Sequence, residues 1–166
     1  MKTEMENFIQ LKNSNILRLG IKDIEGNPTG EFLEFDIEDI ELPLIYQEMI
    51  EEQKKNNEWL KDRVTIIDKR QDHKGKKLMS YNQEEKIKAI NEYYKKEVII
   101  LDKFLGKDGV KKLLNGRKIG WTTLDEIDEL IEKQIAPKLD LSLDNLKTKI
   151  KDKYSKAKEK NKEVLE

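Results

Sequence analysis

The sequence predicts a mainly α-helical α+β domain of about five helices with a small β-hairpin near its N-terminus. Two observations carry this. Residues 15–37 alternate apolar and polar side chains about a central E-G-N-P-T-G, the pattern of two half-buried strands joined by a turn. From about residue 42 onward, apolar residues recur every three or four positions between capping residues, Gly and Pro, the pattern of amphipathic helices.

In the hairpin, alternation places Leu17, Leu19 and Ile21 on one face of the first strand and Leu33, Phe35 and Ile37 on one face of the second. Arg18, Lys22, Glu34 and Asp36 fall on the other face. A lone hairpin is marginal in water, so its apolar face must pack on helices or join strands from another copy. A long helix is expected over about 42–70, because Pro43 suits a first turn and Glu38, Asp39 and Glu41 favour the positive end of a helix dipole. Leu42, Ile45, Met49, Leu60, Val64 and Ile67 keep helical spacing, whereas the middle, E-E-Q-K-K-N-N-E, is polar all round. It reads as a solvated waist in one helix, with a break near Asn56-Asn57 as the alternative. Residues 71–80 read as a basic, flexible loop.

Ser80 with Gln83 fits a capping box, so the next helix should begin at about Tyr81. Its stripe runs through Ile87, Ile90, Tyr94, Val98, Leu101 and Leu105, and Ile99, Ile100 and Phe104 widen it. The C-terminal half therefore needs several covering neighbours. Gly106 stops this helix, and Val110, Leu113 and Leu114 make a short one that Gly116 ends. Thr123 with Glu126 fits a second capping box, for a helix carrying Leu124, Ile127, Leu130, Ile131 and Ile135 until Pro137 ends it. Ser142 is expected to cap a last helix through Leu143, Leu146, Ile150, Tyr154 and Ala157.

The resulting organisation is an arm over 1–14, a single domain over 15–146 and a basic helix end or tail over 147–166. At 166 residues one domain can bury roughly 70% of its unfolded surface. Apolar residues make up 36% and charged residues 40%, which suits helices that bury one stripe and solvate the rest. The formal net charge of −1 hides an asymmetry: residues 1–70, 71–120 and 121–166 sum to −6, +6 and −1. Residues 23–53 hold 11 acids and no Lys or Arg. Such segments can attract each other within a subunit or between subunits. Cys is absent, which excludes disulfides and thiolate metal sites and suggests a reducing compartment. No apolar run reaches signal-peptide or membrane-helix length, so a cytoplasmic location without membrane contact is expected.

No catalytic motif stands out, and the chain is not expected to be an enzyme. His73, the only His, lies among Lys74, Lys76 and Lys77, which disfavour a bound cation. The hairpin turn lacks the alternating acidic oxygens of a calcium loop. Gly106, Gly109 and Gly116 match neither dinucleotide nor nucleotide phosphate-loop spacing and read as helix punctuation. No cofactor or metal is expected. The tail has eight Lys between Lys147 and Lys162, but the overall balance is neutral and only Tyr154 interleaves it, so nucleic acid is an unlikely partner. Tyr46, Trp59, Tyr93 and Trp121 sit at edges of apolar stripes and are the candidate partner-binding side chains, Trp59 foremost because its helix is polar there.

The stretch D-K-F-L-G followed by G-V-K-K-L-L-N-G, with Asp102, Phe104, Leu105, Gly106, Gly109 and Gly116, resembles a segment of the tail assembly chaperones of tailed phages and prophages of Gram-positive bacteria. The layout is similar over about 15–154, including Ile131, Ile135 and Pro137 as I-x-x-x-I-x-P. Residues 118–122 and the long polar waist depart from that pattern. The resemblance implies a non-enzymatic, self-associating cytoplasmic protein of the bacterial host that keeps the tape measure protein soluble and recruits tail tube protein around it. It also implies that a frameshifted longer form could extend the chain beyond the basic tail. A phage or bacterial adaptor acting by oligomerisation is the alternative.

Overall fold

The structure is a computed structural model that describes residues 9–11, 15–141, 151, 155, 156 and 159. Most of the expected arm, and the expected helix from Ser142 with its apolar residues, lie outside the described residues. The order is β1 (Ile16–Lys22), β2 (Pro28–Asp36), α1 (Leu42–Asp68), α2 (Tyr81–Leu105), α3 (Gly109–Leu114), α4 (Trp121–Leu130), a π-helical turn (Ile131–Ile135) and a short α5 (Ala136–Lys138). This is the mainly helical α+β fold with an N-terminal hairpin that the sequence predicts.

The strands pair antiparallel with Leu17 opposite Phe35 and Leu19 opposite Leu33, and the register shifts between Gly20 and Lys22. Their apolar face is covered by helices of the same chain: Phe35 and Leu33 are buried, and the Phe35 ring lies 5.3 Å from that of Phe104 on α2. Ile37 departs from the expected face. It follows the last paired residue and is 56% exposed, because the chain turns there toward α1 while its N–H still bonds to the Asn15 carbonyl.

Helix α1 runs unbroken through the polar middle, so no break occurs at Asn56-Asn57. It packs along α2 as an antiparallel helical hairpin. Ion pairs of Glu52 with Lys103 at 2.8 Å and of Asp68 with Lys86 lace its edges, so part of the acidic and basic asymmetry is neutralised within the chain. Being exposed, such pairs contribute only about 0–1 kcal/mol each.

The capping box of α2 is present: the Gln83 N–H donates to the Ser80 hydroxyl, and the Ser80 N–H donates to the Gln83 side chain. The loop before it is tied down as well, with Asp72 accepting from the Asn82 and His73 N–H groups and the His73 ring stacked on Tyr81.

Helix α2 supplies the core. Ile100, Leu101, Phe104 and Leu105 are buried, whereas Ile99 is 62% and Ile87 52% exposed. The buried face is therefore rotated away from the expected stripe and passes through Ala89, Tyr93 and Glu97.

Residues 102–116 are helix punctuation with specific causes. Gly106 adopts φ +92°, a conformation open to glycine and costly for other residues. Gly109 has no such φ, but a Cβ there would lie 2.5 Å from the Leu105 Cβ. The Asp102 carboxylate accepts from the Val110 N–H at 2.9 Å and so caps α3 from the preceding helix. Burial holds the Asp102 carboxyl above its ordinary range, and that hydrogen bond opposes the rise. Asn115 and Gly116, both at positive φ, close α3.

Two expectations about the helix after α3 are corrected. It begins at Trp121, not beyond Thr123: Gly120 is its N-cap and Thr123 lies in the first turn. The Thr123 hydroxyl accepts from the Gly120 N–H at 2.8 Å and donates to the Gly120 carbonyl, reaching backward where a cap would reach forward. Pro137 does not end the helix. The ladder has already widened into the π turn, which accommodates the missing Pro N–H, and the helix closes two residues later. There Asp140, at φ 53°, forms a Schellman-type stop in which the Leu141 N–H donates to the Ala136 carbonyl and the Asp140 N–H to the Pro137 carbonyl.

Candidate functional site

The waist of α1 is solvated except along the face toward α2. Asn56 is 5% and Glu97, facing it from α2, 2% exposed. A polar layer thus interrupts an otherwise apolar helix pairing. Asn56 Nδ2 donates to Glu97 Oε1 at 2.8 Å and to the Tyr93 carbonyl at 3.2 Å. Gln53 Nε2 donates to Glu97 Oε2 at 3.2 Å and to Asp128 Oδ1 at 2.9 Å, which ties α4 to the α1–α2 pair. The Tyr93 hydroxyl donates to Asn57 Oδ1 at 2.6 Å.

The electrostatics follow from burial. Desolvation pushes the Glu97 carboxyl above its ordinary 4.5, the amide donors of Asn56 and Gln53 oppose the rise, and Asp128 adds to it. Desolvation also raises the Asp128 carboxyl, against the Gln53 hydrogen bond. The Tyr93 hydroxyl is pushed up to about 12 by burial and then by nearby Glu97. Among the described residues no cation pairs with Glu97, and Asn56 Oδ1 is buried without a hydrogen-bond partner. A buried carboxylate lacking a cation is costly and can take up a proton. Sealed from solvent and with no nucleophile among its partners, Glu97 fixes how α1, α2 and α4 align; it offers no surface for a substrate.

Beside this layer, aromatic side chains reach the surface. The Trp121 ring lies 5.4 Å from Tyr93 and 5.3 Å from Tyr94, and Trp121 remains 50% exposed. Trp59 is half-buried, with Lys96 Nζ 3.6 Å above its ring. Of the four aromatics singled out from sequence, Tyr93 and Trp121 are in contact, whereas Trp59 packs under Lys96. Tyr46 is elsewhere: its ring packs 5.2 Å from Phe104 in the core. Sequence reasoning missed Gln53, Asn56, Glu97, Tyr94 and Lys96. A signal was present in the three- and four-residue spacing of Ala89, Tyr93, Glu97, Ile100 and Phe104, which an apolar-only pattern breaks at the acid.

A second feature lies between the hairpin and α3–α4. It is an open groove of about 630 Å³, within the roughly 300–1,000 Å³ of ligand-sized clefts. Leu19, Ile21, Leu33, Leu113, Ile127 and Leu130 provide its apolar walls. Arg18, Lys22, Arg117 and Lys138 stand around it with Glu126 as the one acid.

Among the described residues no helix is long and apolar enough to cross a membrane, and no group of three or more His, Cys, Asp or Glu side chains could hold a metal ion. No protein-family model, curated protein or solved structure matches this chain.

Proposed function

We propose that this chain is a non-enzymatic binding protein, a tail assembly chaperone of a tailed phage or prophage, which holds the tape measure protein in the host cytoplasm while tail tube protein assembles around it. The observation that supports it best is the aromatic edge of Trp121 and Tyr94 on a helical scaffold. Half-exposed Trp and Tyr side chains are effective anchors for an apolar helical client, and the hydrogen-bonded layer beneath keeps them in place. The segment from Asp102 to Gly116, whose resemblance suggests the family, acts here through the fold; the client is assigned to the aromatic edge. An adaptor acting through oligomerisation is the second reading, favoured by the charged groove.

Co-expression with a candidate tape measure protein tests the proposal. The expected result is a co-purifying complex and a larger soluble fraction of the tape measure. If neither changes, the chaperone reading is dropped.

A further inference from the structure

We propose that the groove between the hairpin and α3–α4 receives the acidic corner formed by residues 36–48 of a second copy of this chain. That corner joins β2 to α1 and carries Ile37, Ile40 and Leu44, which are 56%, 76% and 55% exposed. Around them stand Asp36, Glu38, Asp39, Glu41 and Glu48 with no Lys or Arg in the segment. Among the described residues none of these acids forms an ion pair, although acids on either side do, Glu34 with Arg18 and Glu52 with Lys103. Three exposed aliphatic side chains in a segment whose carboxylates form no ion pair among the described residues make a poor solvent surface and a good plug.

The groove is its complement in both respects. Its walls are aliphatic, and its rim carries four cations to one acid. Arg117 faces Glu126 at 3.8 Å, and Arg18 is held by Glu34 and stacks 3.8 Å above the Phe32 ring. Lys22 and Lys138 form no ion pair among the described residues, so they are the cations open to carboxylates from outside. The same charge argues against the basic tail as the occupant of the groove.

The corner does not line the groove of its own chain. It begins at Asp36, at the end of the hairpin where Asp36 pairs with Ile16, whereas the groove takes in the other end of β1, up to Lys22. The corner is also preorganised: Asp36 Oδ1 accepts from the Glu38 N–H, Asp39 Oδ1 accepts from the Glu41 N–H, and the Leu42 N–H bonds to the Asp39 carbonyl. A rigid plug loses little entropy on docking. Because plug and groove are different surfaces, a reciprocal contact is isologous and a one-way contact is heterologous. The first closes as a dimer in which two copies exchange corners, and the second extends head to tail into a ring or chain.

Sedimentation velocity on the full chain tests this. The wild type should associate with rising concentration, and at least tenfold more weakly in high salt, because the rim charges are exposed. Lys22→Glu with Lys138→Glu should give a folded monomer by circular dichroism, and so should Ile40→Lys. Mixed, these two variants retain one intact plug and one intact groove, so they should form a 1:1 dimer and nothing larger. A chain combining Glu38→Lys and Glu41→Lys with the two groove reversals should regain association, which guards against a variant that merely folds badly. A wild type that stays monomeric, single-surface variants that associate as the wild type does, or a mixture that stays monomeric would each overturn the proposal. These outcomes are separate from the tape measure experiment, which reads the aromatic edge.

Discussion

Asn56 and Glu97 are joined across the α1–α2 pair by a 2.8 Å hydrogen bond that spans 41 residues of sequence. Because burial raises the Glu97 carboxyl, the folded chain holds that proton more tightly than the unfolded chain. The stability this group contributes is therefore greatest below the ordinary 4.5 and falls as pH rises from there through the folded value. Asp102 and Asp128 shift in the same direction. Glu97→Gln removes the Glu97 contribution to that fall, so urea melts from pH 4 to pH 8 should show the variant gaining on the wild type as pH increases. A difference between the two proteins that does not change with pH would mean that Glu97 is not desolvated.

The same pair shows what the sequence made legible. Ser80 and Gln83 were readable because a capping box is chemistry between neighbours, and Gly106 because a helix stop is local too. Asn56 and Glu97 were not, because apolar periodicity treats every polar residue as solvent-facing. Ile99 reads as part of the apolar stripe, yet one face of α2 is filled by Ile100 and Phe104 and leaves it outside. Thr123 is ambiguous as a cap because its hydroxyl can bond forward or backward along the chain, and here it bonds backward to Gly120. The groove was beyond a local reading, since residues 18–22 meet 113–138 only after folding.

Gly109 and Gly116 should fail for different reasons. Gly109→Ala sets a methyl group 2.5 Å from the Leu105 Cβ, so α2 and α3 must separate, at a cost of about 1–3 kcal/mol. Gly116→Ala meets no atom within 4 Å and suffers only from its φ of +83°, a cost of about 1–2 kcal/mol. Denaturant melts measure both losses. Crystal structures of the variants would distinguish a displaced α3 in the first from an unchanged one in the second.

Leu101 is fully buried and Ile99, two residues earlier on the same helix, is 62% exposed. Leu101→Ala should cost about 2–5 kcal/mol, whereas Ile99→Ala should stay within about 0.5 kcal/mol of the wild type. Chemical denaturation checks the pair, and equal losses would place the buried face of α2 elsewhere.

Trp121 separates binding from folding. Its ring touches Tyr93 and Tyr94 from the outside, and half of the residue remains exposed, so Trp121→Ala removes a surface anchor and leaves Leu101 and Phe104 packed. The expected stability loss is about 1 kcal/mol, set by the aromatic contacts. If the aromatic edge holds a helical client, truncating a central anchor should weaken the complex by about 2 kcal/mol or more, roughly thirtyfold in Kd. Tyr46→Phe is the control: Tyr46 packs at a tilt against Phe104 away from this edge, and the change keeps the ring. Co-purification and titration calorimetry with the tape measure protein should thus fail for Trp121→Ala and succeed for Tyr46→Phe. Equal affinity for the two variants would remove Trp121 from the client surface and transfer that role to another face of the helices.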